Sequence, residues 1–152
     1  MIGRFVRLAR PYFVMLAIVT VGRWLLGTAF GVPYERGTWY FSIVMLTLFA
    51  SLFYGVFTRR WLSFRILQAV GLGMVMAVIS QLVIWLSTVA SYGLGIQSYF
   101  NHPFALTRQM EPVAFLPAMG SRAVGLVVNT ILTGIAGALG WVLGALLPPR
   151  AE

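Results

Sequence analysis

The sequence predicts an all-α integral membrane protein, with four transmembrane helices in an up-down bundle, both termini in the cytoplasm and one long outer loop between helices 3 and 4. Three observations carry this expectation. Of 152 residues, 60% are hydrophobic and 9% charged, and the mean hydropathy of +0.89 exceeds that of soluble domains. Four apolar runs reach the ~20 residues that a helix needs to cross the hydrocarbon of a bilayer. The arginines collect at the ends of those runs. The whole chain, 1–152, then reads as a single transmembrane domain with no room for a separate soluble one.

The first run, about 12–32, follows Arg4, Arg7 and Arg10, and Pro11 suits the first turn of a helix. Arg23 interrupts its apolar region, so it reads as a retained helix rather than a signal peptide. Pro33-Tyr34-Glu35-Arg36-Gly37 predicts a tight turn into a second run, about 38–58, with Trp39 and Tyr40 at its mouth. Arg59, Arg60 and Arg65 surround a short connection to a third run, about 66–92, which is long enough to tilt. Residues 93–120 form the long loop, and a fourth run, about 121–147, stops at Pro148-Pro149.

Orientation follows from the arginines. Arg4, Arg7, Arg10, Arg59, Arg60, Arg65 and Arg150 fall on one side, and Arg36, Arg108 and Arg122 on the other. Because basic residues are retained in the cytoplasm, seven against three places both termini there. Eleven arginines and no lysine fit a GC-rich bacterial genome as well as selection for bidentate contacts, and a bacterial inner membrane is the expected location.

Lipid gives helices no hydrophobic reason to associate, so small residues that let backbones approach must hold the bundle together. At four-residue spacing the helices offer Arg23-Gly27-Gly31, Thr47-Ser51-Gly55, Gly73-Ala77-Gln81 and Gly125-Asn129-Thr133-Gly137. The fourth run carries a second ridge, Ala136-Gly140-Gly144, on another face. One ridge would close the bundle and the other would meet a partner.

Arg23 is the most informative polar residue. A central arginine costs ~2.5–3.5 kcal/mol on insertion scales, so it needs partners. Gln81 and Asn129 are the expected ones, with Thr20, Ser80 and Thr130 as further hydrogen-bonding groups. No carboxylate lies within the runs, so a counter-charge must come from Glu35 or Glu111, from a partner subunit, or from a bound anion or lipid headgroup. The absence of Asp, Glu and His from the runs disfavours proton or cation transport.

The loop mixes aromatic and turn-forming residues from Tyr92 to Phe104, and the apolar stretch Pro112–Met119 predicts a short interfacial helix or a partner-contacting loop. His102 and Glu111 are its only acid–base pair, without a nucleophile or metal-ligand spacing beside them. With no cysteine, thiol catalysis, disulfides and cysteine-held metals are excluded. The charge of +8 belongs to membrane topology, not to nucleic-acid binding.

The sequence names no cofactor and no reaction. Its leading functional expectation is a non-catalytic membrane subunit that packs against other membrane proteins, or itself, to stabilise a larger complex. The alternative is an oligomeric transporter or channel component for an anionic or polar solute, with Arg23, Gln81 and Asn129 lining the path. A weaker third reading is a membrane enzyme of lipid or isoprenoid chemistry, for which a general base is lacking.

Overall fold

The computed structural model describes residues 2–147, which form seven helices with no strand among them. The Pro148-Pro149 stop and Arg150 lie outside the described residues. Four stretches are long and apolar enough to cross a membrane: Arg10–Thr28, Tyr34–Trp61, Ile66–Gly93 and Phe115–Leu146. This is an all-helical membrane protein by length and composition.

Helix α1 (Ile2–Leu8) is joined through Ala9 to α2 (Arg10–Thr28), and Pro11 occupies the first turn of α2, where its missing N–H has no intrahelical role. α2 stops short of residue 32. The Phe30 N–H bonds the Leu25 carbonyl at 2.9 Å and the Val32 N–H bonds the Leu26 carbonyl at 3.0 Å, both wider than the helical repeat. Gly31, at φ +57°, then turns the chain into Val32-Pro33 with nothing within 4 Å of where its Cβ would stand. Gly31 is therefore a turn residue, not the packing glycine its four-residue spacing suggested.

The second run is two helices rather than one. α3 (Tyr34–Tyr40) ends at Phe41, and α4 (Ile43–Trp61) begins afresh at Ser42, whose hydroxyl accepts from the Met45 N–H at 3.3 Å as an N-cap. α5 (Ile66–Gly93) is 28 residues long, or about 42 Å. α6 (Pro103–Thr107) is a single short turn in the loop.

The last helix, α7 (Phe115–Leu146), starts six residues before the expected 121. The apolar stretch 112–119 is thus not a separate interfacial helix. Pro117 falls in the first turn of α7, where N–H groups lack intrahelical acceptors and proline is tolerated. Ser121 and Arg122 are consequently carried into the second turn instead of flanking the span.

Close backbone approach unites α4, α5 and α7. A Cβ at Gly55 would overlap the carbonyl of Gly137, and one at Gly73 would overlap the Ser51 hydroxyl and stand 2.7 Å from the Thr133 carbonyl. Gly137 packs on the Ala69 carbonyl, and Ala77 is wholly buried. Ser51 adds a bond from its hydroxyl to the Thr133 carbonyl, 2.8 Å. Gly140 and Gly144 lie against the Leu52 and Val56 carbonyls of α4. The second ridge of α7 therefore closes the bundle as the first does, because α7 sits in contact with both α4 and α5 and presents a different face to each.

Phe5, Phe64 and Trp141 meet at the arginine-rich end. The Phe5 and Phe64 rings are 6.1 Å apart, and Trp141 Nε1 donates to the Phe64 carbonyl at 2.7 Å. Arg59 lies over the Trp141 ring at 4.3 Å. The opposite end is occupied by the 94–114 loop and holds the polar residues considered next.

Candidate functional site

Three structural devices build the site. The first is the break between α3 and α4: leaving helical geometry at Phe41 frees its carbonyl, which accepts from Arg23 Nη1 at 2.9 Å, with Thr38 Oγ1 a longer partner at 3.5 Å. Gly22 makes this close, because its missing Cβ is where the Phe41 ring lies. A non-helical carbonyl at membrane depth needs a donor, and a buried guanidinium needs an acceptor, so each accounts for the other.

The second device is the loop that follows α5. Ser91 and Ser98 hydroxyls meet at 2.7 Å, and the Asn101 side-chain oxygen accepts from the Ser98 N–H at 2.8 Å. These bonds bring the Phe100 carbonyl over α5, where it accepts from Thr88 at 3.1 Å and from Arg122 Nη2 at 2.6 Å. Arg122 Nε donates to Thr88 Oγ1 at 3.0 Å. The third device is Tyr99, which fits against Gly27 and Gly37 and donates to the Val32 carbonyl at 2.7 Å, tying the loop to the end of α2.

Between these elements is a cavity of about 730 Å³. Its lining includes Arg23, Arg122, Gln81 and Asn129 from the helices, with Glu35 and Arg108 from the loop end. From Ser121 to Asn129 it follows α7 for about 12 Å. Among the described residues no carboxylate stands within 4.0 Å of the buried Arg23 or the half-buried Arg122. Arg23 is held through Nη1 by the Phe41 carbonyl and Thr38, with the Tyr34 hydroxyl as a further hydrogen-bonding neighbour, and Arg122 through Nε and Nη2, so each guanidinium keeps further donors. Arg23 also lies 5.5 Å from the centre of the Tyr99 ring and 5.6 Å from that of Phe100, faces that favour a cation.

Gln81 is 5% exposed, and its amide makes no hydrogen bond to the described residues although it lines the cavity. Asn129 donates to the Gly125 carbonyl at 2.8 Å, leaving its side-chain oxygen unused. Gly125 meets no neighbouring backbone: a Cβ there would have only the Asn129 and Gln81 side-chain amides near it, both at 3.8 Å. It is a wall of the cavity, not a packing contact.

Arg23, Gln81 and Asn129 are thus brought to one space, but the two amides do not bond the arginine. Thr20 and Ser80 donate instead to the carbonyls of Leu16 and Ala77 in their own helices, and the buried Thr130 hydroxyl has no partner among the described residues. His102 stacks on Tyr34 with ring centres 4.5 Å apart and a buried Nδ1 that makes no hydrogen bond to the described residues. Burial lowers its pKa, opposed by the charge of Glu35. Glu111 is exposed and takes no part in the cavity. Burial likewise raises the pKa of the Tyr99 hydroxyl, and nearby Arg23 opposes that rise.

Arg122 is the important residue that the sequence reading misplaced. Counted as a flank, it carries a free guanidinium edge into the same cavity as Arg23. Among the described residues no three His, Asp or Glu gather where a metal ion would be held. Comparison with protein-family models, with curated proteins and with solved structures finds no match for the chain.

Proposed function

We propose that this protein binds an anion inside its membrane domain, in the cavity between α2, α4, α5 and α7. The observation that supports this most is the pair Arg23 and Arg122, two cations that line one cavity with no carboxylate among the described residues within 4.0 Å of either; the one carboxylate in the lining, Glu35, is exposed. Like charges in a low-dielectric space repel, and an anion between them relieves that cost while accepting from their free edges. Gln81 and the Asn129 oxygen add neutral hydrogen-bonding groups deeper in.

In this reading the protein lies in a bacterial inner membrane with both termini in the cytoplasm. Arg4, Arg7, Arg10, Arg59, Arg60 and Arg65 support that orientation against Arg36 and Arg108. With Arg122 moved into a helix, the outer flanks lose one of their few arginines, which widens the asymmetry. The cavity then opens in the outer half of the bilayer. Gly140 and Gly144 lie against α4, so they do not form a ridge for a partner in a structural-subunit reading.

Thermal unfolding in neutral detergent tests the proposal, with inorganic phosphate or an alkyl phosphate added. An anion at 100 times its Kd is expected to stabilise the native chain by about 2.7 kcal/mol, and the Arg23→Gln/Arg122→Gln variant by much less. If neither anion stabilises the native protein more than the variant, the proposal is wrong.

A further inference from the structure

The cavity wall is not polar all round. Met45 on α4 and Val124 and Val128 on α7 line it, yet they are 51%, 64% and 47% exposed. In a membrane-spanning chain such side chains face acyl tails. Trp39, also in the lining, is 82% exposed and of the residue type that settles at headgroup level. The glycine contacts that lock α4 to α7, from Gly55 and Gly137 to Gly144, all lie farther toward the arginine-rich end. Where α4 starts, therefore, the polar interior and the lipid-facing apolar surface belong to one continuous wall.

Depth agrees with this. Arg23 lies about 8 Å along α2 from its last residue, Thr28, close enough to the helix end for a headgroup to reach it. Asn129 lies about 10 Å further along α7 than Arg122, near the middle of that helix, so the polar lining continues inward from the arginines. A small inorganic anion would use the guanidinium edges alone. An amphiphile uses the charged, the neutral polar and the apolar parts of the wall together.

Building on the anion-binding reading, we propose that the occupant is an anionic lipid that enters sideways between α4 and α7. Its headgroup meets Arg23 and Arg122, its ester region meets Gln81 and Asn129, and its chains stay against Met45, Val124 and Val128.

Native mass spectrometry of the full chain from neutral detergent tests this, with phosphatidylglycerol, phosphatidylcholine and inorganic phosphate as separate probes. Both lipids offer a phosphodiester to the guanidiniums, but phosphatidylcholine also brings a quaternary ammonium that two arginines repel, so a roughly 10- to 100-fold preference for phosphatidylglycerol is expected. The preference is expected to vanish in Arg23→Gln/Arg122→Gln. Because that variant also loosens the loop, Val124→Trp serves as a second probe: it fills the lateral gap from an exposed position and is expected to lower phosphatidylglycerol occupancy.

Equal binding of the two lipids, or full occupancy in Val124→Trp, overturns the lipid proposal. Arginine-dependent binding of inorganic phosphate without a lipid preference overturns it too, while leaving the anion site standing. If no probe depends on the arginines, both readings fail.

Discussion

At the scale of single residues, the structure separates holding a charge from using it. Arg23 satisfies the carbonyl at the α3–α4 break, so Arg23→Leu, which leaves that acceptor without its donor, should cost about 1–3 kcal/mol, and Arg23→Gln less. Unfolding in mixed micelles measures both, and equal losses would mean that the Phe41 carbonyl does not depend on this side chain. His102 gives a pH signature. Its native pKa is lowered, so the unfolded chain takes up a proton first; stability is full above about pH 6.5 and falls as pH drops toward the lower native value. A melting temperature that declines below that pH in the native chain, but not in His102→Phe, is the expected result. A decline of the same size in both would assign the effect to another group.

At the scale of elements, what was legible in the sequence followed from lipid as solvent. Bilayer length and apolarity locate four spans, and polarity within them singles out Arg23, Gln81 and Asn129, which do share a cavity. The break after Phe41 was missed, although Ser42 before an apolar run is an N-cap signal; an uninterrupted run of span length looks like one helix whether or not it is capped within. Arg122 was misplaced because the fourth run reads as starting at 121, whereas α7 begins at Phe115 with Pro117 tolerated in its first turn. The faces of the glycine ridges depend on how α7 is rotated between its two neighbours, which spacing alone does not specify.

Those ridges are testable as packing. Gly55→Ala and Gly140→Ala each set a methyl group against backbone, which neighbouring side-chain movement cannot relieve, and should each cost about 1–3 kcal/mol. Gly93→Ala, where nothing lies within 4 Å, should be close to neutral. Thermal melts of the three variants check this. Indifference to alanine at both Gly55 and Gly140 would remove the close α4–α7 contact.

At the scale of the whole molecule, a closely packed three-helix assembly of α4, α5 and α7 carries α2 and a pinned loop at one end, and the space left between them is lined by Arg23 and Arg122 with no described carboxylate within 4.0 Å of either. The proposed orientation is checked with a reporter fused after Glu152, expected to be active only in the cytoplasm; activity on the outer side would invert the membrane placement of the cavity. The most direct test of an anion between Arg23 and Arg122 is a high-resolution map of the protein in nanodiscs of native lipid. The expected result is non-protein density with an acidic group within hydrogen-bond reach of both guanidiniums. A map in which a carboxylate of this chain or of a partner subunit pairs with them, or in which the helices close and the cavity disappears, would contradict it.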